Sequence, residues 1–544
     1  MTALLDIANL HLSIGTTPIL KGIDLAIRPG EVMGVVGESG SGKSLTALSV
    51  MRLLPHAARL DGAIRFAGHD ILSASEDEML ALRGDDIGMI FQEPMTALNP
   101  LKTIGAQVME GIRFHTGATK DEARDRSTAI LERVGMPVSR FPLSRYPHEL
   151  SGGQRQRVMI AIACALKPKL LIADEPTTAL DVVLQAQILD LLRELVAEDA
   201  MALMLISHDL AVVADMADRI TILKDGEVQE AGETSAILSQ MRHPYTRRLA
   251  EASMHVPARA KREPATGSSK PLITVRDVVK DYPGRRTHLF RAPEPFRAVD
   301  GVSFDIAEGQ TMALVGRSGC GKSTLARLIL ALDRPTGGAI AFEGTDLATA
   351  GDEQMRAARR HMQVVFQDPY GSFNPRHTVR RLVAEPLHLL DSQPSRSELH
   401  DRVASALERV GLEADAMRRY PHEFSGGQRQ RISIARAIIT EPKLIVADEP
   451  VSALDVSIRA QVLDLFAELN DRLRIAFLFI THDLHVARAV TDHTLVMDAG
   501  QIVERGDSVA ILKHPESDAG KALVAASPDL EAAIARRSAA LSKQ

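Results

Sequence analysis

Four short stretches of the chain are apolar at almost every position. EVMGVV (31–36) and QTMALV (310–315) run into glycine-rich turns, whereas KLLIAD (169–174) and KLIVAD (443–448) end on a carboxylate. Unbroken apolar runs of this length suit strands covered on both faces, the habit of parallel sheets; a half-solvated strand would alternate. After Ser44 and after Gln154 the pattern changes to the spacing of amphipathic helices. Strands and helices in alternation predict an α/β layered architecture.

The pattern occurs twice. GESGSGKS (Gly37–Ser44) returns as GRSGCGKS (Gly316–Ser323), and FQEPMTALNP from Phe91 returns as FQDPYGSFNP from Phe366. RYPHELSGGQRQR from Arg145, ADEPTTALD from Ala173 and SHDL from Ser207 have counterparts at Arg419, Ala447 and Thr481. The motifs keep their order and almost keep their spacing, which means two tandem copies of one domain with small loop differences. Half of 544 residues is ample for an α/β unit with its own core. Residues 257–271, PARAKREPATGSSKP, are polar and aperiodic as a linker is, and divide a first domain over 1–256 from a second over 272–528. The second copy carries an added stretch, Pro283–Phe296, that suits a surface loop, and residues 529–544 read as a short helical tail of little chemical content.

Composition narrows the class. With 45% hydrophobic and 25% charged residues, collagen-like, disordered and disulfide-scaffold chains are excluded. A net charge of −6 offers no overall positive field to nucleic acid or an anionic membrane. Cys164 and Cys320 are too few for a disulfide framework or a cysteine-rich metal site, and suit a reducing compartment. The opening residues lack the blocks of a secretory leader, and no run of about 18 apolar residues occurs, so a chain neither exported nor membrane-spanning is expected.

Gly, four residues, then Gly-Lys-Ser after a strand describes a phosphate-binding loop. Its glycines let backbone amides close around phosphates, the next helix offers its positive end, and a lysine adds a point charge. The expected binding residues are Gly37, Ser39, Gly40, Gly42, Lys43 and Ser44, and in the second copy Gly316, Ser318, Gly319, Gly321, Lys322, Ser323 and Thr324. Ser44 and Ser323 are expected to ligate Mg²⁺. A strand ending in Asp-Glu supplies the other half of such a site: Asp174 and Asp448 for the metal, Glu175 and Glu449 to activate water.

The ordered set of motifs resembles the ATP-binding cassette (ABC) proteins, two tandem P-loop NTPase domains each with a helical subdomain. Its LSGGQ signature appears at Ser151, Gly152, Gly153 and Gln154 and again at Ser425, Gly426, Gly427 and Gln428. The resemblance implies that the cassettes pack head to tail and that each ATP lies between the loop of one and the signature of the other. It implies further that Gln92 and Gln367 sense the γ-phosphate, share in binding the metal and couple it to a membrane partner. His208 and His482 would contact the γ-phosphate, although Ser207-His208-Asp209 and Thr481-His482-Asp483 also read as helix caps. Asp181 and Asp455 would lie at the seam between cassettes. Tyr282 fits an adenine-stacking position where the first copy has Ile14, and Leu45 stands where the second copy has Thr324. Neither change touches the hydrolytic residues, so both sites are expected to hydrolyse ATP. Cys320 is either a reactive thiol near a helix N-terminus or simply a small residue tolerated in the loop.

Asn-Pro after each glutamine, Tyr-Pro-His-Glu before each signature and RHPYTRRL at Arg242–Leu249 are similar to ATPases of bacterial dipeptide, oligopeptide and nickel importers. The resemblance implies two transmembrane permease subunits, an extracytoplasmic substrate-binding protein, one copy of this chain per transporter and a place on the cytoplasmic face of the inner membrane. Relatives with a cysteine cluster after HPYT hold an iron–sulfur centre; this chain has no cysteine there, and none is expected. The competing class, a soluble twin cassette acting on ribosome or DNA, fits less well with the short mixed linker, the absence of zinc cysteines and the net negative charge.

Overall fold

The computed structural model describes residues 3–178, 180–259, 270–284, 295–452 and 454–541. Its first half builds β1 (Leu5–Ile14), β2 (Thr17–Ile27), β3 (Val32–Val36), β4 (Ala58–Phe66), β5 (His69–Asp70), β6 (Ile87–Ile90), β7 (Leu170–Asp174), β8 (Ala202–Ser207), β9 (Arg219–Lys224) and β10 (Glu227–Glu233). The second half repeats them as β11 (Ile273–Tyr282), β12 (Phe296–Ile306), β13 (Thr311–Val315), β14 (Gly337–Phe342), β15 (Thr345–Asp346), β16 (Met362–Val365), β17 (Leu444–Asp448), β18 (Ala476–Thr481), β19 (His493–Asp498) and β20 (Gln501–Asp507).

Each half has an antiparallel sheet, in the order β2-β1-β4-β5 or β12-β11-β14-β15, and a six-stranded sheet, in the order β6-β7-β8-β3-β9-β10 or β16-β17-β18-β13-β19-β20. The central strands of the larger sheets run parallel, and every residue of β7, β8, β13 and β18 is buried, which is why these segments carry no polar alternation. Even unusual backbone recurs: positive φ at Arg52, Glu175 and Asp225 is matched at Ala331, Glu449 and Ala499.

The halves meet through two pairs of helices. Pro244–Ser253 packs on Val456–Leu473 of the second half, and Asp518–Ala526 packs on Val182–Glu198 of the first. The tail forms a helix, Leu530–Leu541, but it serves the opposite half: Leu530 and Ala533 are buried in the first half's core. Arg537 Nε and Nη2 donate to the carbonyls of Ala214 and Ala217 at 2.5 and 2.6 Å, and Arg536 pairs with Asp215 at 2.8 Å. The Ala214 and Ala217 carbonyls lie at the C-terminal end of the helix Leu210–Met216, where a guanidinium is welcome. Residues 260–269 of the linker and 285–294 of the added stretch lie outside the described residues.

Candidate functional site

Each glycine-rich loop joins a buried parallel strand to a helix, β3 to Lys43–Val50 and β13 to Lys322–Ile329. Gly42 and Gly321 have φ of +99° and +112°, and a Cβ there would lie 2.4 Å from the Leu20 side chain or 2.3 Å from the Ala298 carbonyl, so no other residue fits. Lys43 Nζ donates to the carbonyls of Gly37 and Glu38 at 2.7 and 2.9 Å, and Lys322 Nζ to those of Gly316 and Arg317 at 2.7 and 3.0 Å. Burial holds the Lys43 ammonium below its usual range against the pull of Glu175, Asp455 and Asp174. The buried Ser41 hydroxyl has no hydrogen-bond partner among the described residues.

Asp174 ends β7, and Ser44 Oγ donates to its Oδ1 at 3.0 Å. Burial raises Asp174 and Asp448 to about 6 each, with the neighbouring glutamate adding to the effect. Among the described residues no hydrogen bond joins Ser323 to Asp448, so the two halves differ here. No group of three or more His, Cys, Asp or Glu side chains that could hold a metal occurs among the described residues. One hydroxyl and one carboxylate suit Mg²⁺, which takes few protein oxygens and completes its shell with phosphate and water.

Glu175 and Glu449 follow these aspartates with φ of 46°, a conformation that costs a non-glycine residue about 1 kcal/mol or more. Their N–H groups donate to Ile206 and Ile480 at 3.0 and 2.8 Å, which fixes the kink. Glu175 Oε2 accepts Gln92 Nε2 at 3.0 Å and Thr178 Oγ1 at 2.8 Å, and lies 3.3 Å from His208 Nδ1. In the second half Glu449 accepts Gln367 Nε2 at 2.9 Å and meets His482 Nδ1 at 3.1 Å. Burial pushes Glu175 up, but the His208 hydrogen bond and charge outweigh it and hold the carboxyl down at about 2; Glu449 is lowered in the same way.

The two histidines are not helix caps. Asp209 caps Leu210–Met216 by accepting Ala211 N–H at 2.8 Å, and Asp483 caps Leu484–Val490 through His485 N–H at 2.8 Å. Ser207 and Thr481 accept the N–H of those aspartates instead, each at 3.0 Å. The imidazoles are thereby left to the glutamates.

Asp181 and Asp455 reach across the seam. Asp181 Oδ2 accepts Ser318 N–H at 3.1 Å, and Asp455 Oδ1 accepts Ser39 N–H at 2.7 Å, so each phosphate loop is held by the other half. Beside Asp181 lies a cavity of about 300 Å³ lined by Glu175, His208, Asp181, Ser318, Gln367, Glu449 and His482 among others. None of the eight signature residues lines it. Ser151 and Gln154 bond each other's backbone N–H at the head of Gly152–Cys164, as Ser425 and Gln428 do at the head of Gly426–Ile438, so both serine hydroxyls are already engaged.

Tyr282 ends β11 as Ile14 ends β1. Its hydroxyl donates to Asp333 at 3.2 Å and Lys280 Nζ lies 5.1 Å over its ring, so one face is already covered. Leu45 packs against the first half's core. Cys320 is 6% exposed and burial raises its thiol despite the nearby Lys322, which makes it a small packing residue rather than a reactive thiolate. Cys164 is wholly buried and pushed up to about 12 by burial. Sequence reasoning missed Thr178 and also Tyr245, whose hydroxyl accepts Glu38 N–H at 3.3 Å; the HPYT segment was the only signal for the latter.

Comparison with known proteins shows the family. A family profile described as "ABC transporter" matches residues 20–178 and 299–452. The chain is 46% identical over 528 residues to the peptidoglycan transport ATP-binding protein YejF of Agrobacterium fabrum, covering 96% of this chain and 95% of that one. It is 43% identical over 541 residues to the glutathione import ATP-binding protein GsiA of Escherichia coli K12, covering 94% and 87%. A solved ATP-binding cassette, dimeric in a post-hydrolysis state with ADP and Pi, is 28% identical over 43% of this chain and 98% of its own, with a TM-score of 0.39. The chain belongs to the ABC transporter family and carries its ATPase domain twice.

Proposed function

We propose that this chain is the ATP-hydrolysing subunit of a bacterial importer, with both cassettes of the engine on one polypeptide divided near residues 256 and 272. The observation that carries the reading is reciprocal: Asp181 grips the second phosphate loop while Asp455 grips the first. Such a pair works as one unit, since moving either half displaces the other's loop.

Site one would comprise Gly37–Ser44, Gln92, Asp174, Glu175 and His208, completed from the other half by Ser425–Gln428. Site two would comprise Gly316–Thr324, Gln367, Asp448, Glu449 and His482, completed by Ser151–Gln154. Loop amides and lysine neutralise phosphate charge, which is most of what phosphoryl transfer asks of a protein. Mg²⁺, held by Ser44, Asp174 and Gln92 or by Ser323, Asp448 and Gln367, would supply further charge neutralisation. Glu175 and Glu449, kept ionised beside a histidine, orient the attacking water and accept its proton. Gln92 and Gln367, each bonded to a glutamate, report the state of that water to the surface of the half.

Binding of ATP favours the closed pair and hydrolysis reopens it, an exchange of populations that two membrane subunits convert into transport. The match to YejF and GsiA supports an importer for small peptides or peptide-like solutes, fed by an extracytoplasmic binding protein, with one copy of this chain at the cytoplasmic face of the membrane. No helix among the described residues is long and apolar enough to cross a membrane, and the permease subunits of this proposal are separate chains. The test is extraction from native membranes in mild detergent. Two multi-span subunits should accompany the chain and raise its ATPase activity; recovery with ribosomes or DNA and no membrane chain would refute the proposal.

A further inference from the structure

The halves repeat each other closely enough that a group present in only one of them calls for a reason. Tyr245 is such a group. It lies in the first turn of Pro244–Ser253 and is 4% exposed, so its hydroxyl needs partners inside the protein. The hydroxyl accepts the N–H of Glu38, the residue after Gly37, at 3.3 Å, and Lys224 Nζ sits 5.2 Å over the ring. The next amide along the loop, Ser39 N–H, belongs to Asp455 at 2.7 Å. Two consecutive amides of one phosphate loop are therefore anchored, one from within the half and one from across the seam.

The anchors are also joined to each other. Pro244–Ser253 packs on Val456–Leu473, and Asp455 is the N-cap residue of that second helix. Tyr245 is held in place from behind, because Glu230 accepts the N–H of Arg242 and His243 at 3.1 and 3.2 Å and the Thr246 hydroxyl at 2.5 Å. The second half keeps this scaffold: Glu504 accepts the N–H of Glu516 and Ser517 at 2.9 and 3.0 Å, and Asp518–Ala526 packs on the helix that Asp181 caps. What it lacks is the hydroxyl. Counted from the helix N-caps, His243 and Ser517, Ala519 stands in the place of Tyr245, and no side chain among the described residues takes the N–H of Arg317.

We propose that Tyr245 is a positioning residue of the first ATP site, fixing the start of its phosphate loop and relaying the seat of the second half to it, so that the two sites are unequal. This rests on the reading of Gly37–Ser44 as a nucleotide site. A loop fixed beforehand loses less freedom when nucleotide arrives, and the gain is confined to the half that has the tyrosine.

Tyr245→Phe removes one oxygen and keeps the ring beneath Lys224. The full chain and this variant are photolabelled with 8-azido-ATP over a concentration series, and labelled peptides from each half are quantified. Loss of one hydrogen bond should raise the half-saturating concentration of the first half by roughly threefold to tenfold and leave the second half unchanged. Equal half-saturation of the first half in both proteins overturns the proposal, as does an equal shift in both halves, which would mark a purely structural role. Absence of first-half labelling in the unsubstituted chain would instead defeat the site reading, and the proposal with it.

Discussion

Asp455 accepts the backbone N–H of Ser39 at 2.7 Å, whereas its counterpart Asp181 divides its carboxylate, one oxygen on Ser318 N–H at 3.1 Å and the other on Leu184 N–H at 3.0 Å. Asp181 therefore caps its own helix as well as gripping the opposite loop. Asp181→Ala should lower Tm by about 2–4 °C through loss of a helix cap worth about 1 kcal/mol. Asp455→Ala, which loses the Ser39 bond but no side-chain cap bond, should lower Tm less than Asp181→Ala while lowering ATPase activity to a similar extent. Thermal unfolding of the two variants side by side checks this; equal falls in Tm would contradict it.

Both halves hold a kinked, ionised glutamate against a histidine and a glutamine, so both sites should turn over. Glu175→Gln and Glu449→Gln should each lower steady-state hydrolysis by about 100-fold or more, since reopening in the proposed cycle requires both sites to fire. Full activity in either variant would show that hydrolysis runs through one site alone.

The histidine–glutamate pairs should make stability depend on pH. Burial acts to lower His208, but the hydrogen bond and charge of Glu175 raise it above its ordinary 6.5; its contribution is complete below that value and fades as pH rises through the folded value. Glu175 is lowered from 4.5 to about 2, so its contribution is complete above 4.5 and fades as pH falls. The pair therefore stabilises most between those ordinary values. His208→Gln should lower the urea midpoint more at about pH 5.5 than at about pH 8.5. A penalty that grows with pH would have the wrong sign.

Ser44 and Asp174 lie 3.0 Å apart at the head of the first loop. Chelation of Mg²⁺ should abolish hydrolysis, and Ser44→Ala should raise the half-saturating Mg²⁺ concentration by about tenfold in a titration at fixed ATP. An unaltered Mg²⁺ requirement would remove Ser44 from the metal's shell.

The elements legible in the sequence were those whose pattern follows from local chemistry. Apolar runs such as KLLIAD could only be covered strands, and Gly42 and Gly321 have positive φ where a Cβ would strike Leu20 or Ala298. The positive φ of Glu175 and Glu449 was not legible, since nothing in ADEP announces a left-handed glutamate. Nor was the choice of cap: Ser207 and Asp209 are both good capping residues, and only the path of the chain after β8 decides for the aspartate. The place of Asp181 and Asp455 at the seam followed from the resemblance, and the structure bears it out, but the partners of their cross-seam bonds depend on how two distant segments approach, which local pattern does not encode. The tail misled for the same reason, because the surface that buries Leu530 and Ala533 belongs to the other half of the chain.

That docked tail changes the kinetics of the pair. The halves are joined through the linker and again through Leu530–Leu541 resting on the first half, with Arg537 on the carbonyls of Ala214 and Ala217. Each half then meets the other at an effective concentration on the order of millimolar, set by chain length and not by how much protein is present. In the proposed cycle reclosure is a unimolecular event that dilution does not slow, and a tail that stays docked would make opening a swing about that contact instead of a departure into solvent.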